Sequence, residues 1–276
     1  MDLVSLGWNP FFSRSFESMA REGLVPARVV REDRDLYVVL SEHGELTADV
    51  AGRMRYQARS RSDWPAVGDW VAVEARAAEQ RATIQALLPR RSRISRKVAG
   101  ARTDEQVVAA NVDTALLVSG LDGNFNLRRI ERALAMAWES GVSPVIVLNK
   151  ADLAPRLEQQ VAAVETIALG VPVHVASAQT GLGMDALAAT IKAGQTAVLV
   201  GSSGVGKSSL INRLLGAERQ QVGAVREDDS RGRHTTTRRE LLFLPGGGMI
   251  IDNPGIRELQ LWSDDEDREG SGLAET

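Results

Sequence analysis

The chain has 276 residues, 43% of them hydrophobic and 25% charged, with a formal net charge of -3. That size and apolar content suit about two ordinary globular cores, and the near balance of charge excludes a polycation that holds nucleic acid by bulk charge, leaving such contact to local patches. The lack of cysteine excludes disulfides and fits a reducing compartment. No apolar run reaches the roughly 18 to 20 residues of a membrane span, and residues 1–9 lack a charged segment followed by an apolar core, so a cytoplasmic, monomeric, membrane-free protein is expected.

Residues 1–24 read as an extension with aromatic anchors Trp8, Phe11, Phe12 and Phe16, able to cap the first domain or to stay mobile until bound. Residues 25–98 hold five short strand-like runs (27–30, 36–40, 46–50, 68–74 and 82–88) with turn residues between them, the pattern of a small Greek-key barrel. Arg53, Arg55, Arg59 and Arg61 are separated by even numbers of residues with no acid among them, so an extended segment would put all four on one face, opposite Tyr56. A second acid-free basic run, with Arg90, Arg91, Arg93, Arg96 and Lys97, follows at the junction. Both runs are candidates for RNA phosphate contact, Arg91 and Arg93 leading in the second, against the plainer reading of a solvated loop and a linker.

From residue 99 to 276 the rhythm changes to strand, helix, strand. The run 115–118 precedes a helix whose Leu127, Ile130, Leu134 and Trp138 fall on one face, and 154–169 is a second helical stretch, so an α/β doubly wound sheet is predicted. Asn149-Lys150-Ala151-Asp152 follows the apolar run 144–148, at the strand end where such sheets bind ligands. The Asp152 carboxylate suits the N1–H and exocyclic amine of guanine and would repel the N1 lone pair of adenine. Asn149 is placed to fix the loop and reach the base, and the Lys150 stem to lie along it. Ser177 and Ala178, after 171–176, would bring backbone N–H groups to the guanine O6.

Between the strand-like 196–200 and a helical stretch ended by Gly216 lies Gly201-Ser202-Ser203-Gly204-Val205-Gly206-Lys207-Ser208, which fills every fixed position of G-x-x-x-x-G-K-[ST]. Its backbone N–H groups, with those of Ser208 and Ser209 in the first helical turn, would cradle phosphates, Lys207 would meet the β- and γ-phosphates, and the Ser208 hydroxyl would meet Mg²⁺. Downstream, Thr236, and after it Thr237, is the candidate for Mg²⁺ and γ-phosphate in Gly232-Arg233-His234-Thr235-Thr236-Thr237, although a Ser/Thr-rich turn alone says little. Asp252 ends the run 248–251 as the acid that holds Mg²⁺ through water, with the Gly255 N–H toward the γ-phosphate. Ile256, where many GTPases carry a water-orienting glutamine, has no hydrogen-bonding side-chain atom. His234 is the nearest substitute in sequence, and a solvated loop histidine is its plainer reading.

The guanine motif thus precedes the phosphate loop, and the Asp252-Asn253-Pro254-Gly255 turn comes after both, a cyclic shift of the usual order. That order, the GRHTTT segment, DxPG before a hydrophobic residue, and Gln106-Val107-Val108-Ala109-Ala110-Asn111-Val112-Asp113 resemble the ribosome-small-subunit-dependent GTPase A family, RsgA, from about residue 24 to 276. The resemblance implies an OB-fold ahead of a circularly permuted GTPase domain, binding of GTP and GDP with Mg²⁺, hydrolysis stimulated by the 30S subunit and its 16S rRNA during late maturation, and release afterwards. Asn253 stands where the family commonly has threonine, a change of little expected effect in a turn constrained by its aspartate and glycine. The family ordinarily continues into a helical domain with a cysteine and histidine zinc site; this sequence ends at Thr276 without a cysteine, so no such zinc site is expected in it. The other functional class is a module that uses the nucleotide only to order a docking surface, with negligible turnover, as Ile256 would allow.

Overall fold

The computed structural model describes residues 2–33, 36–98, 104–123, 125–216 and 239–252. The N-terminal segment makes a single 3-10 turn, Val4–Leu6, and helix α1, Pro10–Ala20. α1 starts where it does because the Asn9 side chain accepts the Phe11 N–H at 3.0 Å and proline occupies the first helical position. Trp8, Phe12 and Phe16 then pack together against Trp70, with ring centroids 4.7 Å apart for Trp8–Trp70 and 5.8 Å for Phe12–Trp70. Burying a side chain such as Phe12 contributes about 1.5–3 kcal/mol. The segment is therefore a docked cap, although Phe11 stays half exposed.

The next strands are β1 (Val25–Asp33), β2 (Leu36–Ser41), β3 (Gly44–Val50), β4 (Trp70–Arg76) and β5 (Arg81–Leu87), with helix α2 (Gly52–Gln57) between β3 and β4. They hydrogen-bond in the order β1-β2-β3-β5-β4, and the β1–β4 pairing closes the ring into a five-stranded OB-type barrel. Alternation sets the inner face: Leu46, Ala48 and Val50 of β3 point inward with Val29, Val39, Val71 and Ile84. The second basic run, a candidate RNA contact whose plainer reading was a linker, has Arg93, Arg96 and Lys97 on strand β6 (Arg93–Val98), paired antiparallel with β7 (Asp104–Ala110). The boundary expected between residues 98 and 99 lies between these two paired strands.

The remaining elements are β8 (Thr114–Gly120), α3 (Leu127–Glu139), β9 (Ser143–Asn149), α4 (Leu157–Ala168), β10 (Val173–Val175), α5 (Met184–Ala189), β11 (Thr196–Val200), α6 (Lys207–Leu215), β12 (Arg239–Phe243) and β13 (Met249–Asp252). The strand order is β10-β9-β8-β11-β13-β12, parallel throughout except for β12, which runs antiparallel to β13. All five residues of β11 are buried, as in a parallel strand covered on both faces. α3 buries Ile130, Leu134 and Ala137; Trp138, placed on the apolar face by its spacing, is 59% exposed, because the buried stripe advances by three residues from Leu134 rather than four.

The barrel and the α/β sheet are one hydrogen-bonded surface. β12 pairs with β1, Arg31 opposite Glu240 and Glu32 opposite Arg239, and the Arg239 guanidinium meets Glu32 at 2.8 Å. Beside this seam lies Arg28 of β1, 2% exposed, which donates to the Leu6 carbonyl, to the Thr196 hydroxyl at 2.7 Å and to the Gly68 carbonyl at 3.3 Å. One side chain thus joins the cap, the barrel and the start of β11. Burial lowers its pKa to about 10, opposed by the charges of Asp113 and Asp69.

Candidate functional site

β9, β11 and β13 end on the same side of the parallel sheet, which brings together motifs more than a hundred residues apart. The phosphate loop leaves β11 at Gly201, where an added Cβ would fall 2.3 Å from the Val118 carbonyl oxygen of β8, so no larger residue fits. Ser202 and Val205 are buried while Ser203 and Gly204 are exposed at the rim, and Gly206 at φ 94° turns the chain into α6. Ser208 and Ser209 lie in the first turn of that helix, its N–H groups directed at the loop. Lys207 is buried, and its ammonium donates to the carbonyls of Gly201 at 2.5 Å and Ser202 at 2.7 Å.

Asn149, at the end of β9 and 2% exposed, ties the guanine motif to this loop. Its amide donates to the Val205 carbonyl at 2.8 Å, its oxygen accepts the Ala178 N–H at 3.2 Å, and a Cβ on Gly206 would come within 2.4 Å of its nitrogen. Three motifs therefore meet on one amide. Lys150 takes the left-handed conformation at φ 65°, and its ammonium pairs with Asp122 at 2.5 Å. Asp152 accepts from the Ser177 hydroxyl at 2.5 Å, which orients one carboxylate oxygen; Ser177, fully buried, also accepts the Thr180 N–H at 3.1 Å.

Two sequence-based roles change. The Ser177 N–H is used by the Leu182 carbonyl at 2.9 Å and that of Ala178 by Asn149, so Ser177 acts through its hydroxyl on Asp152 rather than through a free backbone donor. The four barrel arginines do not share an extended face, because Gly52–Gln57 is the helix α2, without a partner strand to extend it. All four are exposed, but Arg55 folds back, its Nε donating to the Val50 carbonyl at 3.0 Å. In the second basic run Arg90 is structural, bonded to both oxygens of the fully buried Asp69 at 2.8 and 2.7 Å, and Arg91 pairs with Asp113 at 3.4 Å; Arg93 is exposed at the start of β6. Asp252 is 5% exposed at the end of β13, just after Ile251, which lies opposite Val198. His234, Thr236, Thr237, Gly255 and Ile256 lie outside the described residues.

Two site residues had no motif to mark them. Asp122, in the loop after β8, anchors Lys150, and Arg129, in the first turn of α3, donates to the Ser202 hydroxyl at 3.2 Å. Their one legible signal was position: both come after a strand whose C-terminal end faces the site.

A G-x-x-x-x-G-K-S loop, an Asn-Lys-x-Asp turn and a strand-end aspartate at the ends of parallel strands, in shifted chain order beside an OB-type barrel, define a circularly permuted P-loop GTPase. Residues 87–262 match the family model described as RsgA GTPase. The chain belongs to the RsgA GTPase family. It is 50% identical over 285 residues to the small ribosomal subunit biogenesis GTPase RsgA of Opitutus terrae, covering 100% of this chain and 76% of that protein. It is 46% identical over 283 residues to the protein of that name from Syntrophotalea carbinolica, again covering 100% and 76%. Among solved structures, YjeQ from Thermotoga maritima superposes with a TM-score of 0.66 at 27% identity over 86% of this chain and 76% of that one. YloQ, a circularly permuted GTPase, shares the fold with a TM-score of 0.57 at 20% identity over 84% and 71%.

Proposed function

We infer that this protein hydrolyses GTP to GDP and phosphate on the maturing small ribosomal subunit, in the cytoplasm and as a monomer. The observation that carries the reading is the Asn149 side chain, which braces the phosphate loop and the guanine loop against each other at 2.8 and 3.2 Å. Motifs joined in this way serve one nucleotide. Its base lies against Lys150 with Asp152 on the guanine edge, and its phosphates lie along residues 201–209, met by Lys207 once that ammonium leaves the Gly201 and Ser202 carbonyls. The hydroxyl of Ser208 and the carboxylate of Asp252 are hard oxygen donors of the kind Mg²⁺ accepts while keeping water and phosphate oxygens in its remaining positions. When bound, Mg²⁺ supplies charge for the oxygens of the transferred phosphoryl group.

Thr236 and Gly255 complete the γ-phosphate contacts in this reading, and His234 positions the attacking water, since Ile256 offers no hydrogen-bonding atom. Residues 99–276 then form the nucleotide unit and residues 25–98, capped by 1–24, the RNA-contacting unit, with the β1–β12 pairing as the link. Multiple-turnover hydrolysis of GTP with and without purified 30S subunits tests this reading. Turnover should rise at least about tenfold with 30S; a rate unchanged by 30S and near zero would instead make the chain a nucleotide-ordered binding module.

A further inference from the structure

The barrel presents one large aromatic side chain to solvent. Tyr56 on α2 is 92% exposed, whereas the other tyrosine, Tyr37, is 4% exposed inside the barrel. Arg53 lies three residues earlier, on the same face of the helix, and Arg59 and Arg61 sit on the turn that leaves it. All three guanidinium groups are exposed and pair with no acid among the described residues.

Residues 50–68 contain a single acid, Asp63, and it is consumed internally. Its Oδ2 accepts the N–H groups of Arg59 at 2.8 Å and Ser60 at 3.0 Å, bonds that, the Arg59 contact first, hold its pKa below the usual carboxylate value. Arg90, locked on Asp69, donates to the carbonyls of Ser62 at 2.7 Å and Trp64 at 2.9 Å. The turn that carries Arg59 and Arg61 is thus fixed in advance, so little ordering entropy is lost when it meets a partner.

Exposed cations on and beside a fixed turn, outnumbering the one carboxylate within it, fit a polyanion, and a free ring beside them fits an unpaired base. A rigid duplex would use the cations and leave the ring idle. A protein partner would call for an apolar centre around the ring, whereas its neighbours on α2 are Arg53, Arg55 and Gln57. We propose that Tyr56 is a base-stacking residue that holds one unpaired nucleotide of RNA against α2 while Arg53, Arg59 and Arg61 take the adjoining phosphates. This rests on the reading of the chain as a ribosomal RNA-contacting protein.

The test uses the full chain, purified 30S subunits and a labelled single-stranded oligoribonucleotide, with affinities measured at two salt concentrations. Tyr56→Ala should weaken both complexes about 5- to 30-fold with an unchanged salt slope, and Tyr56→Phe should bind within about twofold of the parent, since stacking needs the ring and not the hydroxyl. The Arg59→Gln, Arg61→Gln double variant should instead flatten the salt slope by about 1.4, two single-strand phosphate contacts. Thermal unfolding and basal GTP turnover serve as folding controls. If Tyr56→Ala binds like the parent while the arginine variant weakens, the stacking role is wrong and the RNA face stands; if neither variant changes 30S binding, RNA contact by this face falls as well. Loss on 30S with none on the oligoribonucleotide would assign the ring to a ribosomal protein and overturn the proposal.

Discussion

Asn149→Ala removes the amide on which three loops converge. The side chain is 2% exposed and makes two hydrogen bonds, to the Val205 carbonyl at 2.8 Å and from the Ala178 N–H at 3.2 Å. Truncation strands both groups. A buried polar group without a partner costs about 1–3 kcal/mol, and water entering the vacated space recovers part of that. A net loss of about 2–3 kcal/mol in nucleotide binding is expected, or roughly 30- to 150-fold in Kd. The effect should be the same for GTP, GDP and xanthosine triphosphate, because the fault lies in the bracing of a phosphate loop that all three use. Equilibrium titration with fluorescent analogues of each nucleotide, with thermal unfolding as a control for folding, measures it. GDP binding within threefold of the parent would refute the bracing role, and so would a loss confined to guanine nucleotides.

Lys207→Ala should abolish measurable hydrolysis and weaken triphosphates at least about 100-fold, well beyond the loss for GDP, in single-turnover and titration assays. His234→Ala should lower 30S-stimulated turnover at least about tenfold while leaving GTP affinity within twofold; turnover equal to the parent would move water positioning to another group. Arg90→Met leaves the fully buried Asp69 carboxylate unpaired and should cost about 3–5 kcal/mol in denaturant unfolding. Burial already raises the Asp69 pKa against the opposing pull of Arg90, and without Arg90 it rises further above the unfolded value. The deficit of the variant should therefore be largest above that raised folded pKa and shrink as pH falls through it, where the buried acid takes its proton; a deficit that does not change as pH is lowered would refute the assignment.

The nucleotide motifs were legible because each joins a short apolar run to a fixed local pattern, and a strand's C-terminal end places such a pattern without knowledge of the rest of the sheet. Asn149, Asp152 and Lys207 lie where that logic puts them. The five barrel strands were legible for the same reason, through alternation in β3 and apolar runs in the others. Period-two spacing misled at Arg53, Arg55, Arg59 and Arg61, since a periodicity of charge has no core to enforce it and α2 crosses between strands without pairing. Arg28, Arg90, Asp122 and Arg129 were invisible as structural or site residues because the partners that fix them lie at least 21 residues away in the chain. The β12–β1 seam depends on a contact of that kind and has no local signature.

Asp152→Asn most directly tests whether the shifted motifs build a single guanine site. The Ser177 hydroxyl holds one Asp152 oxygen at 2.5 Å, and the carboxylate is the only acid in the guanine motif. GTP, ATP and xanthosine triphosphate are titrated against the parent and the variant. The parent should favour GTP over both others, and the variant should lose about 2–4 kcal/mol toward GTP, roughly 30- to 700-fold, while binding xanthosine triphosphate more tightly than the parent does. Undiminished GTP affinity in the variant, or equal GTP and ATP affinity in the parent, would contradict the guanine site at its base.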